Sequence, residues 1–160
     1  MSFVCTVRDE AIPIAEFRRD DAHALMCQIG YLDDDDTNYW IKVGLDVCPG
    51  VGLDFNFYLV RVDGEPESET PMFESRQVAS FIGAADRRKI RQVLMWLAER
   101  LITSVMPERF AMATYNAYLP DGAMTKFAEL CLVFNACGYD VTATDPYHGR
   151  HMWIMERQPG

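Results

Sequence analysis

The chain has 160 residues, 49% of them hydrophobic, and a formal charge of -9 at neutral pH. This length and apolar content predict one globular domain, residues 1–160, with a core of its own, and they exclude a disordered chain. The negative charge argues against direct binding to nucleic acid, and the absence of any run of 18 apolar residues argues against a membrane helix.

The compartment expected from the sequence is the cytoplasm. The first ten residues contain no basic segment followed by a long apolar run, which a secretory signal requires. The cysteines are odd in number, and most of them lie in apolar stretches. This pattern is typical of reduced, buried thiols rather than of disulfides.

The first half of the chain predicts strands. Residues 3–7 alternate enough for a short strand, whereas Pro13 interrupts any helix and leaves residues 8–21 without an assignment. Three longer runs then alternate between apolar and polar residues, at 25–31, 39–47 and 53–59. Because short, turn-rich loops join them, they predict an antiparallel meander with one face packed on a core.

The central run of this meander makes the sharpest structural prediction. Its alternation places Ile41, Val43 and Leu45 on one face and Lys42 and Asp46 on the other. We expect the strand to be internal to the sheet, with the three apolar residues buried.

The second half of the chain predicts two helices. Residues 63–71 form an acidic, proline-containing stretch that suits a solvent loop, and residues 73–81 are a further strand candidate. A first helix then ends at Met106-Pro107, and its apolar stripe has helical spacing: Ile90, Val93, Leu94, Leu97, Leu101 and Val105. A second helix begins at Asp121 and is closed by Gly138. Its predicted buried residues are Met124, Phe127, Ala128, Cys131 and Phe134.

Strands at 109–115, 139–144 and 151–157 surround the second helix. The predicted fold class is therefore α+β, with a mixed, mostly antiparallel sheet. An N-terminal meander is followed by helix, strand, helix, strand and strand.

The start of the first helix is unusually basic. Residues 87–91 contain four cations in the first turn or so, where the positive end of the helix dipole disfavours them. We expect this helix end to hold something anionic, either a ligand or carboxylates of the same chain.

The order of elements over residues 22–157 resembles the GCN5-related N-acetyltransferase (GNAT) family. The segment 80–85 is similar to the loop that holds the acyl-CoA pyrophosphate in that family, with Gly83 and Ala85 at the matching positions and Ser80 where the family has Gln or Arg. The resemblance implies an N-acyltransferase that binds acetyl-CoA through Gly83, Ala85, Arg87 and Arg88 at the free amides of the helix start.

A different interpretation rests on the acidic surface. Asp33, Asp34, Asp35 and Asp36 form the densest acidic run, and their spacing does not fit a calcium loop. Trp40 is a candidate anchor if it lies on the polar face of its strand. These residues suggest a small, non-catalytic binding protein, such as an inhibitor, immunity-type or regulatory module, that docks a basic protein partner.

No convincing set of catalytic or metal-binding residues is found. Asp145, His148 and His151 recur every three residues but are explained by a tight turn, and no nucleophile stands beside an oriented base. The sequence therefore favours the acidic binding protein, with the acyl-CoA-dependent N-acyltransferase as the alternative. Since Ser80 and Asp86 stand where phosphate contacts should be strongest, the sequence predicts no productive CoA groove.

Overall fold

A computed structural model describes residues 2–8, 12–33, 36–64, 68–72, 81–114, 121–145 and 150–160. These residues form nine strands and two helices. In chain order they are β1 Phe3–Cys5, β2 Ala15–Arg19, β3 Ala22–Leu32, β4 Asn38–Cys48, β5 Gly52–Asp63, β6 Ser68–Met72, α1 Ala84–Val105, β7 Arg109–Ala113, α2 Asp121–Ala136, β8 Tyr139–Ala143 and β9 Met152–Arg157.

All nine described strands belong to one sheet. Its order is β1-β3-β4-β5-β7-β9-β8, with β2 also bonded to β3 and β6 also bonded to β5. Every pairing is antiparallel except that of β5 with β7. The predicted α+β class is confirmed, including its mixed, mostly antiparallel sheet.

The central strand β4 has the predicted register. Ile41, Val43 and Leu45 are 3%, 0% and 2% exposed, while Lys42 and Asp46 are only half-buried on the other face.

Because directly paired residues of neighbouring strands share a face, the register places odd-numbered residues of β3, β5 and β9 on the same face as Ile41. In β7 the even-numbered residues Phe110 and Met112 lie on this face, since Met112 pairs with Phe55 and Phe110 with Met155. These residues form one core with the buried sides of both helices.

Both helices end where the sequence predicts. Met106 follows α1 in the left-handed conformation, with φ of 49°, and its amide donates to the carbonyl of Ile102. Gly138 follows α2 with φ of 97°, a conformation that favours glycine. The predicted buried face of α2 is partly wrong, since Ala128 is exposed and Leu130 is fully buried.

Two strands were not predicted. β2 forms a hairpin with β3 in the region without an assignment, and β6 pairs with β5 inside the stretch predicted as a solvent loop. Among the described strands, β6 is bonded to β5 alone, and such an edge tolerates the missing N–H of Pro71. Backbone hydrogen bonds rather than side-chain alternation define this strand, so the sequence pattern does not show it. Of the strand candidate 73–81, all but Phe81 lies outside the described residues.

All five cysteines are free thiols. In the described part of the chain, no helix is both long enough and apolar enough to cross a membrane.

Candidate functional site

The two parallel strands of the sheet, β5 and β7, are paired over a short length only. β5 and β7 are paired only at Asp54 with Ala111 and at Phe55 with Met112. β7 continues its bonds on the opposite side, where the amide of Thr114 donates to the carbonyl of His151 at 2.9 Å. The pairing of the two parallel strands therefore ends at Phe55 and Met112, and this end of their ladder is what we call the separation of β5 and β7.

Beyond this pairing, a short part of β5 has no strand neighbour on that edge among the residues that the structure describes. β6 joins β5 only from Leu59 onward. Between the two neighbours, residues 56–58 of β5 have no strand partner on this side among the described residues. Free backbone groups on a strand edge can bind an extended ligand.

Helix α1 begins near the same end of β5. The ring of Phe81 lies 4.9 Å from that of Tyr39, and Tyr39 pairs with Arg61 near the end of β5. Ile82 is buried, which fixes the loop, whereas Gly83 immediately after it is exposed. The helix start is thus held against the sheet with its first turn facing outward.

The first turn of α1 has free backbone amides. The first hydrogen bond of the helix runs from the amide of Arg87 to the carbonyl of Gly83. Gly83 is the N-cap residue, and the helix has no side-chain capping hydrogen bond there. A Cβ built on Gly83 meets nothing within 4 Å, so the space beside it is open. Ala84 and Ala85 are exposed as well. This is the geometry of an anion site at a helix N-terminus.

Two of the cations at this helix end have no carboxylate partner among the described residues. Arg87 and Arg88 are exposed, and neither forms an ion pair with any described carboxylate. Arg91 faces α2, where its Nε lies 3.6 Å from Oε2 of Glu129. The predicted site residues Gly83, Ala85, Arg87 and Arg88 therefore share one exposed helix end.

A fifth cation comes from α2. The Nζ atom of Lys126 lies 5.2 Å from the ring centroid of Phe57, the first core-facing residue after β5 and β7 separate. Burial, together with the positive charge of Arg91, lowers the pKa of Lys126. No ion pair joins Lys126 to the described carboxylates. The fold thus places the half-buried ammonium group of Lys126 beside residues 56–58 of β5. Among the described residues, its attractive contact is the cation–π contact with Phe57.

Sequence reasoning missed Lys126. Its neighbour Phe127 is buried at 6% exposure and stacks on Trp153 at 5.2 Å. The sequence offered one signal for this cation, namely a lysine next to the predicted buried face of a helix. It was weak, because lysine stems often lie along apolar surfaces with the charge in water.

The acidic run has a partly structural role. The amide of Asp33 donates to the carbonyl of Ser2, and the amide of Ser2 donates to Oδ1 of Asp33 at 2.8 Å, which fastens β1 to the loop after β3. Asp36 is exposed, while Asp34 and Asp35 lie outside the described residues.

Trp40 lies on the sheet face opposite the helices and is half-buried, between Gln28 of β3 and Val60 of β5. Trp40 thus shares its face of β4 with Lys42 and Asp46, and its role as an anchor for a partner stays a prediction. Trp40 lies within the sheet, whereas the aspartates lie in the loop between β3 and β4.

Other candidate chemistry receives no support from the described residues. They contain no group of three His, Cys, Asp or Glu side chains placed to hold a metal ion. Asp145 is exposed, His151 is half-buried and stacks on Trp153, and His148 lies outside the described residues. Burial raises the pKa of the Cys27 thiol to about 11, which makes it a poor nucleophile.

Comparison of the chain with known protein families, curated protein sequences and solved structures finds no match in any of the three.

Proposed function

We propose that this protein binds an acyl-CoA at the start of α1 and acts as an N-acyltransferase. The observation that carries the proposal is a coincidence of three features at one end of the sheet. The pairing of β5 with β7 ends there, no described side chain caps the first turn of α1, and Arg87, Arg88 and Lys126 have no ion pair with a described carboxylate.

Each feature corresponds to one part of the ligand. The amides of residues 84–86, with Arg87 and Arg88, would hold the phosphates, because helix amides and cations both favour anions. The edge at residues 56–58, which has no described strand partner, suits the amide groups of the pantetheine arm. When bound, acyl-CoA supplies a thioester whose acyl group an amine can accept.

Lys126 makes the proposal specific to this end of the sheet. A half-buried ammonium beside another cation raises the free energy of the folded protein, and a nearby anion would lower it again. Asp86 in the first turn opposes a phosphate, but the adjacent Arg87 and Arg88 more than balance its single charge.

A thermal melt with acetyl-CoA tests the proposal. We expect the melting temperature to rise with ligand concentration, by the equivalent of about 2.7 kcal/mol at 100 times Kd. Gly83→Val, Arg88→Ala and Lys126→Met should each weaken this response. Arg109→Ala is the matched control, because Arg109 is an exposed cation at the beginning of β7. No shift at millimolar acetyl-CoA, or an equal loss in the control, would contradict the proposal.

Lys126→Met also separates binding from stability. The lowered pKa means that the folded protein binds the proton of Lys126 less tightly than the unfolded chain does, so the charged lysine disfavours folding at neutral pH. We therefore expect the unliganded variant to melt at a temperature no lower than the wild type, while its response to acetyl-CoA decreases. An unfolded variant would lose both its melting transition and its response to acetyl-CoA.

The acidic surface supports a second candidate, a binding protein for a basic partner. Asp36 is exposed and Trp40 lies on the face without a described helix. Changing Asp34, Asp35 and Asp36 to Asn should slow association with such a partner and reduce its dependence on salt, since exposed charges are screened beyond about 8 Å. Asp33 is left intact because it fastens β1. Association that is indifferent to salt and to these changes contradicts this candidate.

A further inference from the structure

A second concave site lies on the side of β2 to β5 that carries Phe17, Ala24, Gly44 and Asn56. We call this side the helix-free face because neither of the two described helices covers it. A cavity of about 370 Å³ opens on this face. That volume is near the lower end of the range of about 300–1,000 Å³ for small-molecule sites.

The floor of the cavity includes two small residues of β3, Ala22 and Ala24. Ala24 lines the cavity and pairs with Gly44 of β4, which in turn pairs with Asn56 of β5. A Cβ built on Gly44 would lie 3.0 Å from Oδ1 of Asn56, so a larger residue would crowd this row. Ala22 extends the small-residue floor by one row. The depression results from these side chains rather than from a gap in the sheet.

Charged groups of both signs surround this floor. Lys42 and Asp46 lie on the same face of β4 on either side of Gly44, about 13 Å apart along an extended strand. Arg19 and Glu69 also line the cavity, so the formal charges of its four charged residues cancel. No ion pair among the described residues involves any of the four.

The two charges on β4 are held apart by their other contacts. Oδ2 of Asp46 accepts a hydrogen bond from Nδ2 of Asn56 at 2.6 Å. The ammonium of Lys42 lies 5.6 Å from the ring centroid of Tyr58. Each group therefore retains hydrogen-bonding capacity, because a carboxylate accepts several bonds and an ammonium donates three.

An apolar wall completes the cavity. Phe17 is 50% exposed, which is unusual for a phenylalanine, and it lies beside Ala24 in the register of β2 and β3. Met26, one row further along β3, is buried at 5% exposure and also lines the cavity. An exposed aromatic ring next to a concave surface offers packing area to a ligand.

We propose that this cavity binds a small zwitterion of dipeptide size, with its ammonium group on Asp46, its carboxylate on Lys42 and an apolar side chain against Phe17. The balanced charges of the lining favour a ligand with no net charge and both signs. Two extended residues span about 7 Å, and the flexible lysine stem covers the remaining distance. The site lies on the helix-free face and does not depend on acyl-CoA binding at α1.

Calorimetric titration of the full chain with the dipeptide alanyl-leucine tests the proposal. We expect binding at millimolar or lower concentration, and about tenfold weaker binding for N-acetyl-alanyl-leucine and for alanyl-leucine amide, each of which lacks one charge. These three ligands are compared on the wild-type protein, so the result does not depend on the folding of any variant.

Three variants locate the site. Ala22→Leu fills the cavity without changing charge, Asp46→Asn removes the acceptor charge, and Lys42→Met removes the cation. Each should weaken alanyl-leucine binding about tenfold or more. Asp145→Asn, an exposed carboxylate after β8, is the matched control and should bind as the wild type does. No binding at about 10 mM, equal affinity for the three ligands, or normal binding by Ala22→Leu overturns the proposal.

Discussion

The two faces of strand β4 differ in a way that separates stability from binding. On one face Ile41, Val43 and Leu45 are nearly inaccessible beneath the helices. On the other, Lys42 and Asp46 flank Gly44 at the edge of a cavity. The same strand thus anchors the core through its odd residues and presents charges through its even residues. Burial on one face leaves the other free to carry polar groups.

The helix-covered face gains much of its packing from aromatic rings. The ring of Phe110 lies 4.9 Å from Phe134 and 5.2 Å from Tyr139, in edge-to-face arrangements. Phe55 lies 5.0 Å from Phe134 in the same geometry. These rings join β5, β7, β8 and α2, so they hold together the part of the sheet beside the strand separation.

The largest expected effect is therefore at Phe110. Phe110→Ala should lower the free energy of unfolding by about 3–5 kcal/mol, because it leaves a cavity among rings that cannot easily collapse. Urea denaturation followed by circular dichroism measures this loss. A change below about 1 kcal/mol would mean that the aromatic cluster does not carry the fold.

The next effect compares two adjacent residues of β4. Ile41→Ala should cost about 2–5 kcal/mol, because Ile41 is buried beneath the helices. Lys42→Ala, its neighbour on the helix-free face, should cost about 1 kcal/mol or less, mainly the cation–π contact with Tyr58. The ratio of the two losses in free energy of unfolding, measured in the same denaturation experiment, shows how differently the two faces of β4 contribute to stability. Equal losses would contradict the register of the strand.

The smallest effect concerns Asp54 on the helix-free face. Burial raises the pKa of Asp54, Asn56 opposes this by hydrogen bonding, and the cross-strand charge of Asp46 raises it further. A raised pKa in the folded state contributes stability below the unfolded pKa, and this contribution is lost as pH rises through the folded pKa. The wild type should therefore lose stability relative to Asp54→Asn between about pH 3 and pH 7.

Parallel melts of both proteins across this pH range measure the difference. Asp140→Asn is the control, since Asp140 is an exposed carboxylate on β8. A difference that grows in the opposite direction, with the wild type gaining relative stability toward pH 7, would contradict the assignment of Asp54 to a desolvated, like-charged pair.

Local patterns were sufficient for most of the architecture. Alternation predicts β3, β4 and β5, and apolar spacing with Met106-Pro107 and Gly138 predicts both helices and their ends. These signals are strong because each element must bury one face, which imposes its own period on the sequence. Strand β2 was missed because four of its five residues are exposed, so burial imposes no period on it. Strand β6 was missed because residues 68–72 show no apolar–polar alternation in the sequence.

The candidate site divides in the same way. The sequence by itself determined that Gly83, Ala85, Arg87 and Arg88 begin a helix, because they are adjacent in the chain. Only the tertiary structure brought Lys126 beside Phe57, where β5 and β7 separate. Only the cross-strand register placed Gly44, which lies between Lys42 and Asp46 on β4, in one row with Ala24 of β3 and Asn56 of β5. Contacts between residues distant in sequence depend on how strands pair and helices cross, and no local periodicity encodes that geometry.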